Sequence, residues 1–351
     1  MPVPQTRSIC LLRLSALGDA THVVPVVRTL QRHLPDARLT WVIGPGEAKL
    51  LAGLEQVRFV VYDKRSGVSG MRALWRELRS ERFDVLLQMQ LAARANLLAA
   101  GIRAQRRIGY DRARSKEGHG LVVNERIAAG GQHVLDVLGR FCEPLGVRQD
   151  RVEWNLPVAV ADREWAAGHL APGRRWLLLS PCSSHRLRNW AAERYAAVAD
   201  HAASRGWGVV ICGGRSELER TTTDAIIAAM SHPALDLVGR DTLKQLIALL
   251  ERADAVLAPD SGPVHIANAV GTPVLGLYAC TDPTRSGPYS SLDWTVDRYD
   301  AAARRFLGKP GSALRWGKRV EFEGAMDLIG VGDVIERFDA LAAAQAPSPA
   351  P

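Results

Sequence analysis

The segment from Ala255 to Tyr278 constrains the fold more tightly than any other part of the chain. Ala255-Val256-Leu257-Ala258-Pro259 is a short continuous apolar run, the pattern of a strand buried on both faces. Asp260-Ser261-Gly262-Pro263 is a small-residue turn, and Val264 to Val270 has helical character. Gly271 supplies the helix stop, and Thr272 to Tyr278 begins a second buried run. Strand, tight turn, helix and strand in this order make a parallel crossover unit, which requires an α/β sheet. The turn leaves backbone N–H groups unpaired at a helix N-terminus on the ligand edge of that sheet, a site for phosphate oxygens. A phosphorylated or nucleotide-linked small molecule is the expected ligand.

The same alternation runs through most of the chain. Ile9 to Leu14 reads as the first strand, followed by the turn Ser15-Ala16-Leu17-Gly18-Asp19 and a helix with Val23, Val27, Leu30 and Leu34 on one face, stopped by Pro35. Strands are expected at Leu39 to Ile43, Phe59 to Tyr62 and Phe83 to Met89, with helices at Met71 to Leu78, Leu91 to Ala100 and Gln132 to Leu145. A Pro/Gly-punctuated boundary falls between Pro157 and Gly173. The pattern then restarts: strands at Arg175 to Ser180 and Val209 to Cys212, helices at Glu193 to Ala203 and Leu218 to Met230. No sequence repeat links the two halves. Arg285 to Lys318 reads as irregular, Val331 to Ala344 as a final helix, and 346–351 as a disordered tail.

At 351 residues, 47% hydrophobic and 23% charged, the chain suits a soluble two-domain protein. It lacks a run of about 20 apolar residues that could span a bilayer. The N-terminus carries no signal-peptide cleavage pattern, so a cytoplasmic location is expected. Five widely spaced cysteines without a CxxC pair point to buried thiols, with neither disulfides nor a zinc site. The net charge of +8 either favours anionic partners or is a solubility charge with no partner. Nine scattered tryptophans form no stacking array, which argues against nucleic acid.

Several turns carry candidate chemistry. The first has no G-x-G-x-x-G fingerprint, and no G-x-x-x-x-G-K-[ST] occurs anywhere, which weakens dehydrogenase and NTPase readings. It presents Asp19 instead, either a helix cap or a general base. Ser180 to Trp190 combines hydroxyls with Arg186 and Arg188, a phosphate-friendly mix. After Gly213-Gly214, Glu217 either accepts hydrogen bonds from ribose hydroxyls or complements a helix dipole. His265 stands alone, without the spacing of a metal site. Arg103, Arg106, Arg107, Arg112, Arg114 and Lys116 form a basic stretch read as loop and strand edge, either an anion site or a solvated surface.

Together S-x-x-G-D, S-S-x-x-x-R-x-W, G-G-x-x-E and D-S-G-P-x-H-I-A-x-A-x-G-T-P resemble glycosyltransferase family 9, the bacterial ADP-heptose lipopolysaccharide heptosyltransferases, from about residue 9 to about residue 290. The resemblance implies a GT-B fold: two Rossmann-like domains facing across a cleft, with a C-terminal helix crossing back. Residues 1–165 would be the acceptor-binding domain, 172–330 the nucleotide-sugar-binding domain and 331–345 the helix. It implies Asp19 as catalytic base. It places Ser183, Ser184, Arg188, Glu217, Asp260, Ser261, Gly262 and His265 around the donor, with Arg188 where many members have lysine. The six cations from Arg103 to Lys116 would meet an anionic acceptor, Kdo–lipid A or the inner core.

The activity so implied is inverting, metal-independent transfer of a sugar, heptose from ADP-heptose, with no cofactor beyond the nucleotide-sugar co-substrate. The protein would work peripherally on the inner face of the inner membrane, with no nucleic-acid partner. A nucleotide-sugar epimerase or hydrolase, or a non-catalytic nucleotide-sugar-binding protein, would share the architecture.

Overall fold

The computed structural model describes residues 6–345, so the tail 346–351 lies outside the described residues. The chain divides into two compact units, Met1–Pro157 and Val158–Pro351. The first contains β1 (Ser8–Leu12), α1 (Leu17–His33), β2 (Arg38–Ile43), α2 (Pro45–Leu50), β3 (Val57–Val61), α3 (Gly67–Glu77), β4 (Phe83–Gln88), α4 (Ala93–Ala100), β5 (Ala104–Gly109), β6 (Glu125–Arg126) and α5 (Val134–Gly139). The second contains α6 (Val160–His169), β7 (Trp176–Leu179), α7 (Ala192–Ser204), β8 (Gly208–Ile211), α8 (Glu217–Ala229), β9 (Leu235–Asp236) and α9 (Leu243–Arg252). It continues through β10 (Ala255–Pro259), α10 (Gly262–Val270), β11 (Val274–Tyr278), α11 (Pro283–Ser286), β12 (Val296–Asp297), α12 (Tyr299–Leu307) and α13 (Val331–Ala344).

Each unit builds one six-stranded sheet, and every strand pair is parallel. The orders are β3-β2-β1-β4-β5-β6 and β12-β11-β10-β7-β8-β9. Counted within its own unit, the second is the same 3-2-1-4-5-6 order as the first, the doubly wound Rossmann arrangement. Strand order reverses between β1 and β4 and again between β7 and β10. Connections on either side of such a point leave to opposite faces, and the crevice between them is where ligands bind.

The central strands are apolar throughout because helices cover both faces. All five residues of β1, β10 and β11 are buried. Separate cores follow: Cys10, Leu12, Val42, Leu86 and Leu98 in the first unit, and Leu179, Tyr195, Ile211, Leu257 and Phe338 in the second. Gly271 ends α10 at φ 86°, with Thr272 N–H donating back to Ala267 O (3.0 Å). Phe338 of α13 packs edge-on against Trp207, 5.0 Å between centroids, so α13 is anchored on the second unit's own core. All five cysteines are buried and free, as expected.

Three local readings differ from the structure. Ala104–Gly109 is a strand paired on both sides, with β4 and β6; Ile108 and Gly109 are buried, and Arg106 and Arg107, in the middle of the strand, are half-buried. The stretch after Arg285 contains α12, whose Ala302 and Ala303 are buried under a charged outer face. The helical reading of Gln132 to Leu145 is met by α5 and a 3-10 turn, Arg140–Leu145, that carries Pro144.

Candidate functional site

At the β7/β10 reversal, the loops after the two strands meet. Arg188 Nη1 donates to Asp260 Oδ2 at 3.2 Å, and the two side chains are only 13% and 12% exposed. Arg188 Nε and Nη2 both donate to Glu321 Oε1, at 2.9 and 2.8 Å. His265 Nε2 lies 3.7 Å from Asp260 Oδ1. Burial pushes the Asp260 carboxyl up, but its contact with His265 and the Arg188 charge outweigh burial and hold the acid below its ordinary value. Ser261 is the residue before α10, and its Oγ is buried with no protein partner. Asn189 Oδ1 accepts from Ser183 N–H (2.7 Å), while its buried Nδ2 is likewise unpartnered. Hydroxyl, amide, guanidinium and helix N-terminus thus converge with donors to spare, as an anionic ligand requires.

The other candidate donor residues differ in setting. Ser183 is buried and its Oγ accepts from His185 N–H at 3.0 Å, which shapes the turn. Ser184 is exposed, and Gly262 opens α10. Glu217 is exposed at the first position of α8. The carboxylate folded over the Gly-Gly turn is Glu219, which accepts from Gly214 N–H at 2.6 Å and from Ser216 Oγ at 2.6 Å as the capping-box partner. Trp190 anchors the loop by donating to Ile329 O at 3.1 Å.

Glu219, Asp241 and Glu321 are absent from the motif reading. Burial raises the Asp241 acid to about 6 beside Glu219 and Arg215. Its only local signal is its place just before the Thr242 helix cap.

In the first unit the β1/β4 reversal is built around Arg13. Its guanidinium donates to Met89 O (2.5 Å) and Ser15 O (3.1 Å), and Leu14 N–H donates to Gln90 Oε1 (2.6 Å). Asp19 is both cap and ion-pair partner: Oδ2 accepts from Ala16 N–H at 3.3 Å and sits 2.5 Å from Arg13 Nη2. Its side chain is 35% exposed. A cavity of about 360 Å³ opens beside this turn, lined by Ser15, Gly44, Glu47, Lys64, Gln90 and Arg94 among others. Gly44 is needed there, since a Cβ would collide with the Glu47 carboxylate and the Leu14 carbonyl.

The basic stretch is largely engaged inside its own unit. Arg106 grips Glu125 through two hydrogen bonds and also donates to Pro144 O. Arg107 donates to the carbonyls of Val122, Ile102 and Ala99. Arg114 pairs with Asp111 (2.5 Å), and Arg103 donates to Arg79 O. Arg112 and Lys116 are exposed. Among the described residues no cluster of three or more His, Cys, Asp or Glu is arranged to hold a metal.

Two Rossmann-type sheets in one chain, each with its own switch point, make up the GT-B architecture. The profile of glycosyltransferase family 9 (heptosyltransferase) matches residues 71–306. The lipopolysaccharide core heptosyltransferase OpsX of Haemophilus influenzae is 39% identical over 95% of this chain and 97% of its own length. The chain belongs to glycosyltransferase family 9 and is a glycosyltransferase. Among solved structures, the family 9 glycosyl transferase of Veillonella parvula superposes with a TM-score of 0.81 at 21% identity, covering 98% of this chain and 99% of its own. E. coli heptosyltransferase WaaC with ADP-2-deoxy-2-fluoro heptose gives 0.65 at 17% identity, covering 79% and 90%.

Proposed function

We propose that the protein transfers heptose from ADP-heptose to the lipopolysaccharide inner core, by a metal-independent reaction that inverts the anomeric centre. The observation that carries this reading is the Arg188–Asp260 pair beside Ser261 and the α10 N-terminus. The acceptor hydroxyl oxygen bonds to the anomeric carbon as the bond from that carbon to the diphosphate breaks. ADP departs with the bonding electrons, and Asp19 takes the hydroxyl proton. The amides of the Ser261-Gly262 turn and the Arg188 guanidinium stabilise the diphosphate charge without a metal ion. Ser183 and Ser184 border the same anion, and Glu217 meets the ribose. The 39% identity to a named lipopolysaccharide core heptosyltransferase supports the sugar and the acceptor class.

Charge distribution favours an anionic acceptor on the first unit. Residues 1–157 hold 24 Lys and Arg against 15 Asp and Glu, whereas residues 158–351 hold 21 against 22. The whole basic excess therefore sits in the unit that carries Asp19, where Arg112, Lys116, Lys64 and Arg94 are exposed. Such a surface also suits peripheral attachment to the anionic inner face of the inner membrane. None of the described helices is long and apolar enough to cross a membrane.

The test is transfer by purified protein from a panel of nucleotide sugars including ADP-heptose to Kdo–lipid A, in EDTA, with Asp19→Ala as control. Metal-free transfer that the variant loses supports the reading. Donor turnover to free sugar without acceptor would mark a hydrolase, and absence of donor binding would overturn the reading.

A further inference from the structure

Glu321 lies 133 residues beyond Arg188, in a segment that none of the recognisable motifs reaches. Three anchors deliver it. Val320 is fully buried and its N–H donates to Cys280 O at 2.8 Å, two residues past the end of β11. Tyr299 Oη donates to Lys318 O at 2.7 Å, and Phe322 stacks on Phe306 with 5.3 Å between centroids. These anchors bracket Glu321 and hold its carboxylate, 18% exposed, against Arg188.

A guanidinium has five N–H groups in a fixed fork. In Arg188, three of them point at carboxylates: Nε and Nη2 toward Glu321, Nη1 toward Asp260. One N–H on each terminal nitrogen remains for other acceptors. Arg188 ends a single 3-10 turn, Arg186–Arg188, which by itself would leave a long side chain many rotamers. The two carboxylates remove that freedom and fix the plane of the fork at the β7/β10 switch point.

We propose that Glu321 is a positioning residue for the nucleoside diphosphate. Together with Asp260 it sets the Arg188 guanidinium so that its two remaining N–H groups meet diphosphate oxygens. Glu321 itself touches no substrate and acts through Arg188. This rests on the donor site assigned above.

Calorimetric titration of the full chain with ADP, and separately with adenosine, tests it. Glu321→Ala should weaken ADP about tenfold and leave adenosine unchanged. Glu321→Gln, which keeps an acceptor oxygen and the side-chain volume, should lose less and serves as the variant of record if Glu321→Ala fails to fold. In an Arg188→Lys background the Glu321 effect should vanish, since the planar fork is gone. Equal losses for ADP and adenosine, or a loss that persists in the Arg188→Lys background, would show a merely structural strut and overturn the proposal while the donor site stands. No ADP binding by the unaltered protein would overturn both.

Discussion

Arg13 and Asp19 close an ion pair of 2.5 Å across the first turn of the chain, with Arg13 11% and Asp19 35% exposed. Burial alone would push the Arg13 guanidinium toward losing its proton, and Asp19 and Tyr110 more than compensate, so it is held charged. Arg13 also ties the ends of β1 and β4 together through Met89 O. The two residues therefore answer differently to substitution. Asp19→Asn keeps an acceptor for Ala16 N–H at some cost from the uncompensated Arg13 charge, and its larger effect should be on transfer, lowered about 10²–10⁴-fold if Asp19 is the proton acceptor. Arg13→Ala should cost about 2–4 kcal/mol of stability as well, because Met89 O, Ser15 O and Asp19 lose the guanidinium together, Met89 O keeping Tyr110 Oη and Asp19 the Ala16 N–H. Urea unfolding beside single-turnover rates separates the two. An active Asp19→Asn protein would remove Asp19 from the chemistry.

The basic stretch divides into structural and solvent-facing cations. Arg107 closes three carbonyls, including Ala99 O at the end of α4. Arg107→Ala should lower stability by about 1–3 kcal/mol. Arg112→Ala with Lys116→Ala should leave the melting temperature within about a degree and raise the acceptor KM several-fold, more steeply at low salt. Melting curves and acceptor titrations on the two variants decide it. A changed acceptor KM in Arg107→Ala at unchanged stability would reverse the division.

What the sequence reveals follows from how local each signal is. Strands β1, β4, β10 and β11 announce themselves because parallel strands buried on both faces need only be apolar. For the same reason the two units share a strand order with no repeat in sequence: many apolar residues fill the same positions. The two-residue strands β6, β9 and β12 are too short to carry a pattern. Helix α9 had a visible signal in its Thr242-x-x-Gln245 capping box before an apolar run. The turn residues Arg188, Asp260, Ser261 and His265 are legible because one switch point gathers them. Glu321 is not, since its contact with Arg188 depends on packing of α12 and the chain that follows.

Asp241 makes stability depend on pH. Its acid is raised to about 6, chiefly by burial, with Glu219 adding to the effect and Arg215 opposing it. Between about pH 4 and 6 the unfolded chain gives up this proton while the folded protein keeps it. The stabilisation is therefore full below about pH 4 and lost as pH rises through about 6. Asp241→Asn should flatten that slope and be more stable than the unaltered protein by about 1–2 kcal/mol above pH 7. Denaturant midpoints from pH 4 to 7.5 for both proteins give the difference curve. Parallel curves would assign the slope to other groups.

Ser261 distinguishes a residue kept for a ligand from one kept for the fold. Its Oγ is buried and has no partner in the protein, which costs the folded state the hydration of that hydroxyl. Ser261→Ala removes the unsatisfied atom and should leave stability unchanged or higher by up to about 1 kcal/mol. If the hydroxyl donates to a donor phosphate oxygen, the same substitution should weaken ADP binding about three- to tenfold, the worth of one such hydrogen bond. The two effects have opposite signs, so thermal unfolding with and without ADP reads both in one experiment. The variant should melt at or above the unaltered protein alone, and be raised less by saturating ADP than the unaltered protein is. A variant less stable in both conditions would place Ser261 among the residues that hold the turn itself.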